Sequence, residues 1–307
     1  MQDYDWREEV RLLGGDITSG SQAICLKAAE IIIKTVDTMV QNVSPENIND
    51  VIIELCSDIK RAKPAMAGLY KLTADVIRAL QAAGANRDDI ASRVRWAAQE
   101  YRGRVLSSNN LIAANSIALL PENACVATLS RSGTVEAVLR FAKDKGKVKR
   151  VLISEGRPAC EGRITAEGLA EAGISVVFTA DAALPGLMEQ CDVALAGGDA
   201  LCPSGLVNKV GTFALALAAN RLGKPFVACL GSEKIIPFDI LDHYLKEDPA
   251  NLWDHAPLKA RVINRIFEFT PMDLISHLVT EAGVVSGDKI PQIFASIEIN
   301  PHMLDWM

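Results

Sequence analysis

The sequence feature that most constrains the fold lies after Pro121, where short apolar runs alternate with longer segments of helical periodicity. The runs occupy residues 124–130, 150–156, 175–181, 193–199 and 225–231. Each is apolar at consecutive positions, so a strand formed there has both faces buried. Such strands, when separated by helices, form a parallel sheet with helices on both sides. We therefore predict a Rossmann-like, doubly wound α/β domain over residues 121–307.

The chain before this domain carries a different pattern, without strand-like alternation. Apolar residues recur there at helical spacing, in segments that follow capping residues or end at Gly or Pro. The predicted helices cover residues 21–40, 48–63, 65–84 and 87–120. We predict a helical N-terminal domain over residues 1–120. At the other end of the chain, residues 267–283 fit a last strand followed by a helix.

Composition and charge exclude several function classes. The net charge is −6 and the Lys and Arg residues are scattered, so direct nucleic-acid binding is not expected. The acidic N-terminus has no signal-peptide core and no run of 18 apolar residues occurs, so no membrane segment is expected. The seven cysteines form no C-x-x-C pair and lie apart from the histidines, which predicts reduced thiols, a cytoplasmic protein and no metal site. Neither a GxGxxG nor a Walker A motif is present, and we expect no cofactor.

Polar residues follow the predicted strands at the points where the strands end. Ser130 and Arg131 follow the first strand, Arg157 follows the second, and Asp199 follows the fourth. The carboxyl ends of parallel strands share one edge of the sheet, where helix N-termini also offer free N–H groups to phosphate. The helix after the fourth strand is predicted to begin near residues 208–209, Asn and Lys. Together these groups predict a site for a phosphorylated ligand.

Each of these residues also fits an ordinary structural role. Ser130 and Ser132 are suitable helix caps, Arg157 precedes a proline in a turn, and Asp199 is a common residue type in loops. Cys160 has no evident base in the sequence, and we expect it to be a packing residue. Convergence of the polar residues on one predicted edge favours a site over these separate roles.

Three segments resemble one known family. They are TLSRSGTVEAVLRFAKDKGKVKRVLISEGRPACEGRITAEGLAEAGISVVFTADAAL, GGDALCPSGLVNKVGTFALALAANRLGKPFVA and FEFTPMDLISHLVTEAGV. They resemble the α/β/δ-subunit family of eukaryotic translation initiation factor 2B, which shares its fold with methylthioribose-1-phosphate isomerase and ribose-1,5-bisphosphate isomerase. The resemblance covers residues 124–231 and 267–285. It implies a helical domain before a Rossmann-like domain, dimerisation through the latter, and a pocket between the domains for sugar or nucleoside phosphates.

Residue by residue, the resemblance separates binding from catalysis. The isomerases need no metal and use a cysteine at the end of the first strand and an aspartate in a G-A-D motif. Asp199 matches the aspartate, within GGD, whereas Ser130 stands where the cysteine is expected. The family's N-terminal R-G-A phosphate loop is replaced by Thr18, Ser19 and Gly20. A serine hydroxyl does not readily replace the thiol as an acid, because the thiol pKa of about 8.5 is far lower.

The resemblance thus implies an initiation-factor-2B-like protein that binds a phosphorylated sugar or nucleotide in a regulatory role, as a cytoplasmic homodimer with translation initiation factor subunits as further partners. The alternative is a metal-independent aldose–ketose isomerase with Asp199 as acid/base and Ser130 in place of the cysteine. A third alternative is a structural subunit with a vestigial pocket. The residues expected to bind the ligand or its phosphate are Ser19, Gly20, Arg131, Arg157, Asn208 and Lys209.

Overall fold

A computed structural model describes residues 4–16, 19–42, 45–84, 86–240 and 252–297. The described residues up to 107 form one compact unit, and residues 108–297 form a second. The N-terminal part is built from helices α1 (Trp6–Gly15), α2 (Ser21–Asn42), α3 (Pro45–Ala62), α4 (Ala67–Gln81) and α5 (Arg87–Ser116). The last four confirm the predicted helices. Among the described helices, none combines the length and the apolar character that a membrane span needs.

Helix α1 was not predicted from the sequence, although its signals are present. Asp5 caps it by accepting a hydrogen bond from the main-chain N–H of Arg7 at 2.9 Å. Trp6, Val10 and Leu13 are buried, at the i, i+4 and i+7 spacing of one helix face. The helix spans only ten residues and its exposed face is strongly charged. Few apolar residues therefore remain from which its helical spacing can be recognised in the sequence.

The second unit contains one large sheet and one small sheet. The strands are β1 (Ala124–Leu129), β2 (Val148–Ser154), β3 (Ser175–Thr179), β4 (Val193–Ala196), β5 (Ala200–Cys202), β6 (Gly205–Lys209), β7 (Phe226–Cys229), β8 (Phe267–Thr270), β9 (His277–Thr280) and β10 (Gly283–Ser286). The large sheet has the order β10-β9-β7-β4-β1-β2-β3 and is parallel except for β10. The small sheet has the order β5-β6-β8 and is antiparallel. The five predicted strands and their parallel arrangement are confirmed.

Both faces of the large sheet are covered at its centre, whereas the edge strand β3, which was predicted to be buried on both faces, is mostly exposed. The helices of this unit are α6 (Gly133–Asp144), α7 (Gly162–Glu171), α8 (Leu184–Leu187), α9 (Thr212–Arg221) and α10 (Ile290–Ala295). In β1, Cys125, Ala127 and Leu129 pack into one hydrophobic cluster, together with residues of α8, α9 and α10. Ala124 and Val126 pack into another, together with residues of α6 and α7. This alternation confirms the prediction of a two-sided, doubly wound sheet.

Two segments differ from the sequence-based prediction. Asn208 and Lys209 were expected at a helix start, but they lie on β6, and helix α9 begins only at Thr212. Gly205 begins this strand and Gly211 follows it, with φ of +142° and +103°. These conformations favour glycine and are incompatible with a continuous helix through the segment. The segment 267–283 was predicted to be a strand followed by a helix. It forms β8, a 3₁₀ turn and β9, because pairing with β7 buries its apolar residues in the sheet.

Candidate functional site

The carboxyl ends of the parallel strands place several loops side by side. In the ladders of β1, Leu129 pairs with Ser154 of β2, and Ala127 pairs with Ala194 of β4. The chain segments that begin at residues 130, 155 and 197 therefore leave the large sheet next to one another. This edge is where ligands of open α/β sheets bind.

Ser130 is the first residue after β1 and has an unusual backbone conformation. Its φ is +54°, and the residue is buried. The left-handed conformation costs a non-glycine residue about 1–2 kcal/mol. Gly156 packs against it so closely that an added Cβ would lie 2.8 Å from the Ser130 Oγ. Such backbone strain concentrates at functional sites.

The residues that follow Ser130 open helix α6. Ser132 caps this helix by accepting a hydrogen bond from the N–H of Val135 at 3.3 Å. The side chain of Arg131 is exposed between the strand and the helix. The first N–H groups of a helix have no partner within it and carry partial positive charge, so this turn can accept an anion.

The loop after β2 is held by a carboxylate from the next strand end. Asp181 accepts hydrogen bonds from the main-chain N–H groups of Gly156, at 2.9 Å, and of Arg157, at 2.8 Å. The peptide bond between Arg157 and Pro158 is cis, and the Arg157 side chain is exposed. Arg131 and Arg157 therefore present two guanidinium groups from the ends of adjacent strands.

Asp199 follows β4 and is half-buried. Its main-chain N–H donates to the carbonyl of Val207 at 2.9 Å, which ties the loop to β6. The adjacent carbonyl, of Gly198, accepts a hydrogen bond from the buried Lys234 Nζ at 2.9 Å. The sequence analysis missed Lys234. Its signal was available, because it lies in the turn directly after β7, at the same edge of the sheet.

The side chain of Lys209 is already engaged in an ion pair within the protein. Its Nζ lies 2.9 Å and 3.0 Å from the two carboxylate oxygens of Glu161. The side chains are 7% and 13% exposed, so this ion pair is largely shielded from water. The Nδ2 of Asn208 donates to the Thr212 Oγ1 at 3.0 Å. Both residues of the predicted phosphate-binding pair thus have protein partners, and Glu161 is a second residue that the sequence analysis missed.

Ser19 and Gly20 lie in the unit formed by residues up to 107. The N–H of Ser19 donates to the Asp16 carboxylate at 2.9 Å. The carbonyl of Gly20 accepts from the N–H of Ile24 at 3.2 Å, which begins helix α2. Thr18, the first residue of the predicted replacement loop, lies outside the described residues.

The seven cysteines are free thiols, and six of them are buried. Burial raises the pKa of Cys56, Cys191, Cys202 and Cys229 to about 12. Cys160 differs because it is half-buried and lies in the loop after β2. Its Sγ is 3.6 Å from the carbonyl oxygen of Pro158.

Comparison with known proteins adds the following findings. A family model described as "Initiation factor 2 subunit family" matches residues 17–287. A putative translation initiation factor eIF-2B subunit 2-like protein of Pyrococcus horikoshii is 27% identical, and the match covers 91% of this chain and 95% of that protein. A ribose 1,5-bisphosphate isomerase of Archaeoglobus fulgidus is 26% identical over 87% and 85% of the two chains. A methylthioribose-1-phosphate isomerase of Geobacter sulfurreducens is 28% identical over 93% and 88%.

Solved structures give the same grouping. The Pyrococcus horikoshii OT3 translation initiation factor eIF-2B superposes with a TM-score of 0.79 at 26% identity, covering 94% of this chain and 98% of that one. A chain of the tetrameric eIF2B-beta2-delta2 complex from C. thermophilum has a TM-score of 0.71 at 18% identity, covering 94% and 93%, which supports the fold alone.

The buried ion pair yields a prediction for stability. Lys209→Met leaves the shielded Glu161 carboxylate without its cation, and we expect the free energy of unfolding to fall by about 3–5 kcal/mol. In Lys209→Met combined with Glu161→Met, no unpaired charge remains, and most of this loss is recovered. Urea unfolding of the single and double variants measures both effects.

The control for this cycle is a more exposed ion pair of the same region. Arg163→Gln breaks the contact with Glu155, in which the side chains are 60% and 21% exposed, and should cost at most about 1 kcal/mol. A double variant as unstable as Lys209→Met alone would contradict the assignment of the loss to an unpaired buried charge.

Thiol exposure yields a second prediction. At pH 8, we expect a disulfide reagent such as dithionitrobenzoate to modify one thiol quickly in the native protein, because the thiolate is the reactive form and only Cys160 is half-exposed among the seven. Thiols whose pKa is about 12 stay protonated at this pH.

Two measurements check the assignment to Cys160. Cys160→Ser should remove the fast phase, and all seven thiols should react after unfolding in guanidinium chloride. A fast phase that survives in Cys160→Ser would show that a buried cysteine opens to solvent on the timescale of the reaction.

Proposed function

The chain belongs to the initiation factor 2 subunit family, and we propose that it binds a phosphorylated sugar or nucleotide at the carboxyl edge of its large sheet, in a regulatory role. The observation that carries the proposal is the pair of exposed arginines, Arg131 and Arg157, which follow adjacent strands. Guanidinium groups bind phosphate through paired hydrogen bonds. The start of α6, beside Arg131, adds main-chain N–H groups with partial positive charge.

The sugar part of the ligand is assigned to the neighbouring strand end. Asp199 is a half-buried carboxylate that can accept hydrogen bonds from sugar hydroxyls. Lys209 and Asn208 are assigned a supporting role, because their polar atoms are already bonded to Glu161 and Thr212. Of the residues that the sequence predicts to bind phosphate, this assignment keeps the two arginines in direct contact with the ligand and withdraws the lysine from it.

Isomerisation is the second candidate function. It is favoured by the position of Ser130, which is held in a left-handed conformation beside Gly156 at the end of the first strand. Relatives similar over most of this chain are named as ribose 1,5-bisphosphate and methylthioribose-1-phosphate isomerases. In this role Asp199 would move a proton between two sugar carbons, assisted by the Ser130 hydroxyl. Binding is preferred because it requires no acid of low pKa at position 130.

Ligand binding can be tested by calorimetry and thermal unfolding. We expect ribose 1,5-bisphosphate or methylthioribose 1-phosphate to bind, and ribose without phosphate to fail. A ligand at 100 times its Kd should raise the free energy of unfolding by about 2.7 kcal/mol. Arg131→Gln and Arg157→Gln should each weaken binding at least about tenfold, or 1.4 kcal/mol.

Arg140→Gln is the matched control, because this arginine is also exposed in the second unit but is paired with Glu136 on α6. A nucleoside monophosphate in the same assay separates a nucleotide ligand from a sugar phosphate. Turnover that is lost in Asp199→Asn would establish the isomerase instead. Failure of all phosphorylated compounds to bind would overturn both functions and leave a structural subunit.

We also propose that the protein is a cytoplasmic homodimer that associates through the second unit, with translation initiation factor subunits as further partners. Support comes from helix α9, where Phe213 and Leu217 are 36% and 44% exposed and lie four residues apart on one face. A solved relative of the same fold is part of a tetrameric eIF2B-beta2-delta2 complex.

Sedimentation equilibrium tests the dimer. We expect twice the chain mass of 33.1 kDa for the wild type and a monomer for Leu217→Glu, because a charge buried in the interface disfavours association. Ile164→Glu is the control: this residue is 49% exposed on α7 and should leave the dimer intact. A monomeric wild type would contradict the proposal.

A further inference from the structure

A groove in the first unit is lined by none of the residues that the proposed function uses. One wall is a face of α4 that begins at Lys71, continued by the C-cap residue Ala82, and the other is a face of α5, from Arg93 to Arg104. Its volume is about 550 Å³, within the range of about 300–1,000 Å³ that small-molecule sites occupy.

The apolar part of the groove is built around an exposed aromatic ring. Trp96 is 63% exposed, although its indole is one of the largest apolar surfaces a side chain can offer. The side chains next to it in the groove are short, at Ala79, Ala82 and Ala97. Small side chains beside an uncovered indole leave room for a second flat ring to stack on it.

The polar part of the groove has an excess of positive charge. The carboxylate of Asp75 is the shared partner of three cations: Arg104 at 2.6 Å, Arg78 at 3.3 Å and Lys71 at 3.9 Å. Asp75 neutralises one of these charges and Glu100, which also lines the groove, offsets a second, so one positive charge remains in excess. The remaining cation of the lining, Arg93, is paired with Asp89. This local excess is found in a chain whose net charge is −6, so it is not a consequence of overall composition.

We propose that this groove binds a small organic anion that carries a flat aromatic ring. The ring stacks on Trp96, and the anionic group meets Arg78 and Arg104, whose planar guanidinium groups suit carboxylates, sulfonates and phosphates. Glu100 also lines the groove, and its negative charge disfavours ligands with several anionic groups. The proposal is independent of the sugar-phosphate site, which uses other residues in the second unit.

The test is calorimetric titration of the full chain with 2-naphthalenesulfonate. We expect binding at one molecule per chain. 2-Naphthol, which has the ring alone, and methanesulfonate, which has the anion alone, should each bind at least about tenfold more weakly. Trp96→Ala and Arg78→Gln should each weaken binding of the sulfonate at least tenfold, with circular dichroism to verify that the helices are intact.

Two control variants separate the groove from the surface in general. Trp253→Ala removes an indole that is 51% exposed elsewhere, and Arg140→Gln removes an exposed guanidinium on α6; both should bind as the wild type does. The variants Arg131→Gln and Arg157→Gln should also bind the sulfonate normally, so failure of the sugar-phosphate proposal is distinguishable from failure of this one.

Three outcomes overturn the proposal. The first is equal binding of 2-naphthol and 2-naphthalenesulfonate, which would mean apolar adsorption without recognition of the anion. The second is sulfonate binding that is unchanged in Trp96→Ala. The third is the absence of binding together with dissociation of an oligomer in Trp96→Ala on sedimentation, which would make the groove an interface between copies of the chain.

Discussion

The burial of β1 on both faces is the constraint on which the second unit depends. All six of its residues are buried, and parallel ladders to β2 and β4 flank it. A strand that is apolar on both faces requires helices on both sides of its sheet. Each connecting helix returns the chain to the same end of the sheet, so the loops after the strands meet at one edge. The candidate site is therefore a direct consequence of how the core is built.

At that edge the loops approach one another more closely than side chains permit. An added Cβ on Gly162 would fall on the carbonyl oxygen of Ser154, and one on Gly197 would fall on the Ser132 side chain. In this close packing, several polar groups of the edge are bonded to one another, including the Asp181 carboxylate with two main-chain N–H groups and Lys209 with Glu161. The binding proposal therefore rests on Arg131 and Arg157, because their side chains are exposed at this edge and could contact a ligand.

The sequence predicted five of the seven strands of the large sheet because buried parallel strands are apolar at consecutive positions, a pattern that needs no knowledge of their partners. The other two, β9 and β10, were not predicted. The small sheet was not predictable in this way. Its strand β5 has three residues, and β6 pairs with β8, almost 60 residues later in the chain. The same non-local character hid the partner of Lys209. Its charge indicated a phosphate ligand, but Glu161, which neutralises it, lies 48 residues earlier and joins it only in the fold.

The two candidate functions place different demands on the residues at positions 130 and 199. Binding needs an acceptor for sugar hydroxyls and cations for phosphate, and in the proposed site Asp199, Arg131 and Arg157 would supply both without any change of protonation. Isomerisation needs a group that gives up and regains a proton near neutral pH, and a serine hydroxyl, whose pKa lies far above that range, does so only with the help of a neighbouring general base. Recognition of the ligand therefore requires less of these residues than its conversion does.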